Sequence, residues 1–145
     1  NEKTRVIAVE KDQAAIQWLK KNVARINEQV RIVESDVVDA FEGVKCDVVI
    51  ANPPYVPDGQ VLPRDVAEHE PAVALFGGPT GLDIPARFID TATRLLKPGG
   101  FFAIEHTEDQ GDAIAALLAN YFLNIITHRD LNKRPRYTTA IRGKE

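Results

Sequence analysis

Apolar positions along the chain change period several times, and each change predicts an element. Arg5-Val6-Ile7-Ala8-Val9 is a short continuous apolar run, the pattern of a buried strand. Beyond it Ile16, Leu19, Val23 and Ile26 recur at helical spacing, which predicts an amphipathic helix over 12–28 with Asp12 as its N-cap. Val30 to Val33 and Asp47 to Ala51 read as a second and a third strand. Residues 52–79 are rich in Pro and Gly and nearly without period; a connection that long in a compact domain tends to carry function. Asp83 and Pro85 open another helix, with Ile84, Phe88, Ala92, Leu95 and Leu96 on one face, and Lys97-Pro98-Gly99-Gly100 stops it. Phe101 to Ile104 is a further buried strand, and Ile114, Leu117, Leu118 and Tyr121 predict a helix over 108–122. Two apolar segments close the chain, Leu123 to Thr127 and Tyr137 to Ile141. The polar turn "HRDLNKRPR" between them predicts an antiparallel end.

Strands of continuous apolar character alternating with helices define an α/β fold with a mostly parallel sheet. In such sheets ligands bind beyond the carboxyl ends of the strands. Polar residues stand at those ends here: Glu10, Asp36, Asn52 and Glu105. Four on one edge of one sheet predict a site.

Composition narrows the class without naming a substrate. The 145 residues fit one domain with a real core, and the balance is 44% hydrophobic and 27% charged. The net charge of −3 gives no bulk electrostatic case for a nucleic-acid or anionic-membrane partner. The basic cluster Arg129, Lys133, Arg134 and Arg136 reads as a solvated surface turn. One cysteine, Cys46, excludes a disulfide framework and a thiolate zinc site, and it reads as a small buried residue of the third strand. The three histidines do not cluster, so His69 and His106 read as surface or supporting residues and no metal is expected. No apolar run reaches membrane-spanning length and no signal peptide is visible, so a soluble cytoplasmic protein is expected.

Among the strand-end residues, Glu10 can accept the hydroxyls of a ribose, or it can support the start of the helix near residue 12. Asp36 can accept from an exocyclic amine such as that of adenine, or it is an ordinary turn aspartate. Asn52-Pro53-Pro54-Tyr55 is sharper. Pro53 keeps Asn52 extended, and the two prolines offer backbone acceptors with no N–H. The Asn52 side-chain carbonyl beside the Pro53 carbonyl makes two converging acceptors, which is what an –NH2 group needs. Tyr55 can wall such a pocket with a flat face. Neither Asn nor Pro takes a proton at neutral pH, so the arrangement positions a nitrogen for attack on a strong electrophile. No Gly-x-Ser-x-Gly, P-loop or Cys–His pairing supports a hydrolase or kinase.

With "VIAVE" and "ESD" before it, "VVIANPPY" resembles the class I S-adenosylmethionine-dependent methyltransferases that modify planar amino groups. "EHEPAVALFGGPTGLDIPARFIDTATRLLKPGG", "FFAIEHTEDQGDAIAALL" and "RDLNKRPRYTTAI" make the resemblance closer to the HemK/PrmC group, the release-factor glutamine N5-methyltransferases, from residue 5 to about 142. That resemblance implies a Rossmann-like sheet, S-adenosylmethionine as cofactor and a peptide chain release factor as protein partner, with neither membrane nor nucleic acid. It implies that Glu10 holds the cofactor ribose, that Asp36 and Val37 lie at the adenine, and that Asn52 touches both cofactor and substrate. Asn52 and Pro53 would accept from the glutamine amide of a Gly-Gly-Gln loop, with Pro54 and Tyr55 beside it and Glu105 and Gln110 in support.

Some positions depart from the family's pattern. The family usually has Asp where Glu10 stands, an aromatic or apolar residue often occupies the position of Val37, and Gly often occupies the turn at Asn132-Lys133. Asn132 can supply φ > 0 there. The family's Gly-rich strand, turn and helix precede the strand at residue 5, as does its N-terminal helical domain. Their strand would lie between those at 5–9 and 47–51, so two unpaired sheet edges are expected. On that basis residues 1–145 are expected to be part of a longer catalytic domain and to bind cofactor poorly alone. The alternatives are an adenine-N6 methyltransferase acting on DNA or ribosomal RNA, or an inactive truncated remnant or subunit.

Overall fold

A computed structural model describes residues 4–26 and 29–144. The chain forms two compact units, Asn1–Val44 and Lys45–Glu145. The first is a β-α-β unit: β1 (Val6–Glu10), α1 (Gln13–Ile26) and β2 (Val30–Glu34), with the strands parallel and in register from Val6↔Val30 to Glu10↔Glu34. Asp12 is the N-cap of α1, as its sequence position predicts. Its Oδ1 accepts the Ala15 N–H at 2.8 Å and its carbonyl takes the Ile16 N–H at 2.9 Å. Ile16 is fully buried, but the apolar stripe does not stay covered, because Ile26 is 84% exposed. Five-residue strands span about 16 Å and a fourteen-residue helix about 21 Å, so the last turn overhangs its sheet. The end of that helix expected at residues 27 and 28 lies outside the described residues.

The second unit holds β3 (Cys46–Ala51), α2 (Arg64–His69), α3 (Ala72–Leu75), α4 (Asp83–Leu95), β4 (Leu96–Glu105), α5 (Gly111–Leu118), β5 (Phe122–Arg129) and β6 (Pro135–Arg142). Its sheet order is β3-β4-β6-β5; β3 and β4 are parallel, and β6 runs antiparallel to both its neighbours. The expected antiparallel end is therefore present. The four polar strand ends stand on two sheets rather than one. Among the described residues β1 pairs only with β2 and β3 only with β4, which leaves the two open edges that the sequence anticipates. One face of the larger sheet supplies Ala51, Phe102, Ile104, Phe122 and Ala140 to a core closed by Ile89 and Ala92 of α4 and Ile114 and Leu118 of α5. Alternation along the strands puts Val48, Ile50 and Phe101 on the other face, where Ile50 is 77% exposed.

Three elements differ from their sequence reading. The loop 52–79 contains two short helices, α2 and α3, each preceded by a proline that presets its first turn. Leu96 is not the last apolar residue of a helix but the first of β4. It pairs with Cys46, and Lys97 to Gly100 then bulge out before Phe101 pairs with Val48, with Gly99 at φ 79°. The helix expected over 108–122 is only Gly111–Leu118. Thr107 to Gln110 form a separate turn before it, and Tyr121 N–H closes a tight turn on the Leu118 carbonyl after it. In the β5–β6 turn the positive φ falls on Lys133 (64°), not on Asn132. Asp130 Oδ1 takes the N–H groups of Asn132 and Arg134 at 2.8 and 3.0 Å, which fixes Asn132 and passes the reversal to its neighbour.

Candidate functional site

β3 delivers the chain to Asn52 at the carboxyl end of its strand. Ala51 and Pro53 are buried while Asn52 is exposed. Among the described residues neither the Asn52 side chain nor the Pro53 carbonyl has a hydrogen-bond partner, so the predicted acceptor pair is free. Three residues beyond Pro53, the segment is held tightly. Val56 N–H donates to the Leu75 carbonyl at 2.9 Å, and Gly77 N–H donates to the Val56 carbonyl at 2.8 Å. The Gly77 carbonyl in turn takes the N–H groups of Asp83 and Ile84, two of the unpaired donors in the first turn of α4. The sequence "FGGPTGLD" thus laces Asn52–Tyr55 to α4. It must be glycine-rich, because a Cβ on Gly77 would lie 2.5 Å from the Pro54 carbonyl oxygen and one on Gly81 would overlap that of Tyr55.

Tyr55 is half-buried and bonded at both ends. Its hydroxyl donates to Glu105 Oε1 at 2.8 Å, and its carbonyl accepts from Gln110 Nε2 at 2.9 Å. Burial, and then the Glu105 carboxylate, push the phenol up to about 12, and the Arg136 guanidinium partly opposes this. Gln110 also accepts the Thr107 N–H at 3.0 Å through Oε1 and contacts the Thr80 carbonyl at 3.4 Å through Nε2. One buried amide therefore joins the β4–α5 turn, the glycine loop and the Asn52–Tyr55 segment.

His106 is fully buried beneath this turn. Its Nδ1 lies 2.7 Å from the Thr107 carbonyl, which can only accept, so Nδ1 carries the proton. Nε2 then accepts from Thr138 Oγ1 at 2.9 Å, and Thr138 lies 3.0 Å from Thr127 Oγ1. Burial pushes the imidazole below its ordinary value of 6.5. The unfolded chain takes up this proton near 6.5 and the folded chain only at lower pH. Stability should then be level above 6.5 and fall as pH drops below it. Urea midpoints at about pH 7.5 and about pH 5.5 should differ in that direction, and His106→Gln should shrink the difference.

In the first unit, Glu10 closes β1. Its Oε1 accepts the N–H groups of Lys11 and Asp12 at 2.8 and 2.9 Å, while Oε2 has no partner among the described residues. Helix support and a free acceptor coexist in one carboxylate. Asp36, just beyond β2, takes the Val38 N–H at 3.1 Å and sits 3.4 Å from Lys11 Nζ, and Val37 is half-buried in the same turn. The turn reading of Asp36 thus holds. Glu10, Asp36 and Val37 belong to one unit, and Asn52, Pro53, Pro54, Tyr55, Glu105 and Gln110 to the other.

Sequence reasoning undervalued two residues. Gln110 had only a supporting part, and Arg136 read as part of a solvated turn. Arg136 is partly buried, pairs with Asp130 at 3.4 Å and acts on the Tyr55 phenol. The signal was the antiparallel return of β6 along β4, which sets Tyr137 opposite Glu105 and its neighbour Arg136 at the same strand end.

Solved methyltransferases share the α/β fold of this chain, which is that of the class I methyltransferases. A S-adenosylmethionine-dependent O-methyltransferase from Thermotoga maritima matches at a TM-score of 0.70 over all of this chain and 52% of its own, with 16% identity. The family model described as "Methyltransferase small domain" matches residues 1–69. More particularly, the chain is homologous over nearly its whole length to proteins named release factor glutamine methyltransferase. It is 35% identical to the one from Mycobacterium tuberculosis over 97% of this chain and 47% of that protein, and 36% identical to the one from Mycolicibacterium smegmatis over 95% and 50%. The chain spans about half the length of these curated relatives. Among the described residues no helix is long and apolar enough to cross a membrane.

Proposed function

We propose that this chain belongs to an enzyme that transfers a methyl group from S-adenosylmethionine to the side-chain amide nitrogen of glutamine in the Gly-Gly-Gln loop of a peptide chain release factor. The observation that carries the reading is the exposed Asn52 beside Pro53, whose two carbonyls have no partner among the described residues while Tyr55 and Val56 just beyond are both bonded. An acceptor pair facing no donor fits an –NH2 group, and the relatives' name, release factor glutamine methyltransferase, supports a protein glutamine as its source.

Asn52 Oδ1 and the Pro53 carbonyl accept one N–H each from the glutamine amide and hold its nitrogen so that the lone pair points out of the amide plane. Tyr55 walls that plane, with Pro54 behind it. The cofactor fits the residues present: the free Glu10 Oε2 can take a ribose hydroxyl, Asp36 can accept from the adenine amine, and Val37 can pack against the base. When bound, S-adenosylmethionine supplies a methyl group on a cationic sulfur. The amide nitrogen held by Asn52 and Pro53 would take that methyl, an N–C bond replacing the S–C bond, and the surplus proton would leave to solvent. No side chain here has to act as a base, because the methylated amide is strongly acidic until it loses that proton.

The full gene product, given radiolabelled methyl donor with a release factor and separately with undermethylated DNA and ribosomal RNA, should label the release factor at its Gly-Gly-Gln glutamine. Label confined to nucleic acid would overturn the reading in favour of an adenine methyltransferase.

A further inference from the structure

The β4–α5 connection reaches Tyr55 from two directions. Glu105, the last residue of β4, accepts the ring hydroxyl at 2.8 Å; Gln110, five residues later, donates to the backbone carbonyl of the same residue at 2.9 Å. Gln110 is only 7% exposed, and its Oε1 is committed to the Thr107 N–H. Its amide cannot flip without facing donor to donor and acceptor to acceptor. The backbone just beyond Tyr55 is fixed again at Val56, between Leu75 and Gly77. What backbone bonds leave free is the ring's rotation about its own side-chain torsions, and the hydroxyl bond to Glu105 restrains it.

We propose that Glu105 and Gln110 are positioning residues for the methyl transfer, together clamping Tyr55 at its carbonyl and its hydroxyl so that the ring plane is set before the acceptor amide arrives. This rests on the function proposed above and adds how the pocket wall is held. A wall fixed in advance costs no ordering during reaction, whereas a loose one admits poses in which the nitrogen is misaligned. Arg136, itself held by Asp130, bears on the same phenol from β6 and completes the charged surroundings of the ring.

The test uses the full gene product with a Gly-Gly-Gln peptide. Glu105→Ala should lower kcat about tenfold, the worth of one lost hydrogen bond, with KM for S-adenosylmethionine nearly unchanged. Glu105→Gln keeps an acceptor oxygen and should recover most of that loss. Tyr55→Phe deletes the other half of the bond and should lower kcat as much, and adding Glu105→Ala to it should cost nothing more. A wild-type kcat in Glu105→Ala, or additive losses in the double variant, would overturn the proposal. A second readout does not depend on activity. Ultraviolet titration should show a tyrosine ionising at about 12, absent in Tyr55→Phe and shifted down in Glu105→Ala. If that tyrosine does not move in Glu105→Ala, the clamp fails on its own account. If instead it moves while the wild-type enzyme methylates no release factor, the clamp stands and the substrate reading fails.

Discussion

Replacing Asn52 by alanine is expected to lower turnover on a Gly-Gly-Gln peptide about a hundredfold, while the affinity for S-adenosylmethionine changes by no more than a few-fold. A glutamine amide is a poor nucleophile because its nitrogen lone pair is delocalised into the carbonyl. Neither Asn52 nor Pro53 can act as a base, so the acceleration they can supply comes from holding the nitrogen and polarising its N–H bonds. Removing Asn52 Oδ1 takes away one of two acceptors and strands an amide N–H in the bound state, at a cost of about 1–3 kcal/mol. Freedom for the nitrogen to rotate out of line adds to this, and about 2.7 kcal/mol in all corresponds to the hundredfold loss. The Pro53 carbonyl, a backbone group, survives the substitution, so the variant should retain measurable turnover. Radiolabel transfer kinetics on the full gene product, with calorimetric titration of the methyl donor, separate the two effects. Turnover near wild type would show that the acceptor pair does not grip the amide. Equal losses in turnover and donor affinity would place Asn52 at the cofactor alone.

How much of this site was legible in the chain depends on the range of the interaction. Asn52-Pro53 announces itself because its chemistry is local: adjacent residues decide that the strand stays extended and that the backbone offers acceptors only. Asp12 was legible for the same reason, since an N-cap speaks to residues three and four positions away. Gln110 and Arg136 were not. The partner of Gln110 is Tyr55, fifty-five residues earlier, and no periodicity in the segment 108–122 marks which polar residue turns inward. Arg136 shares a run with three other cations that do point outward, and only the pairing of β6 with β4 brings it to the end of β4. Of the two readings of His106, surface or supporting, burial excludes the first; its partner Thr138, and Thr127 bonded to that, come from strands that meet only in the sheet.

The misplaced boundaries have a related cause. Leu96 fits both the helical face of α4 and a strand, and the sequence pattern favoured the helix because Lys97-Pro98-Gly99-Gly100 looks like its stop. In the fold the helix ends one residue earlier, and the Pro-Gly-Gly stretch is spent on a bulge within β4. Helix α5 was overextended because Tyr121 falls at helical spacing from Leu117 and Leu118. Its backbone carbonyl instead receives the Gly143 N–H and the Arg142 guanidinium at the far end of β6. Tertiary bonds of that kind override periodicity and leave no trace in a single window of sequence.

Gly81→Ala is expected to destabilise the second unit by about 3 kcal/mol, well beyond the cost of strain alone. Gly81 sits at φ 73°, where any side chain costs about 1–2 kcal/mol. The added methyl would also overlap the Tyr55 carbonyl oxygen, reach 2.7 Å from Gln110 Nε2 and approach Pro57 N at 3.0 Å. Two of those neighbours are backbone, held by the ladder between Val56 and Gly77, and the third is the buried amide that ties the site together. None is the free end of a flexible chain, so relief has to come from moving the Asn52–Tyr55 segment or breaking the Gln110 bond. Gly59 is the internal control, because it lies in the same unit at φ 79° with nothing within 4 Å of its would-be Cβ. Gly59→Ala should therefore report backbone strain alone, at about 1 kcal/mol. Urea denaturation of both variants isolates the contact contribution as their difference. The Gly81 variant should also let its highest-titrating tyrosine fall from about 12 as the ring loosens from Glu105. Equal losses in the two variants would mean that the glycine loop does not brace Tyr55, and the clamp would then rest on the β4–α5 connection alone.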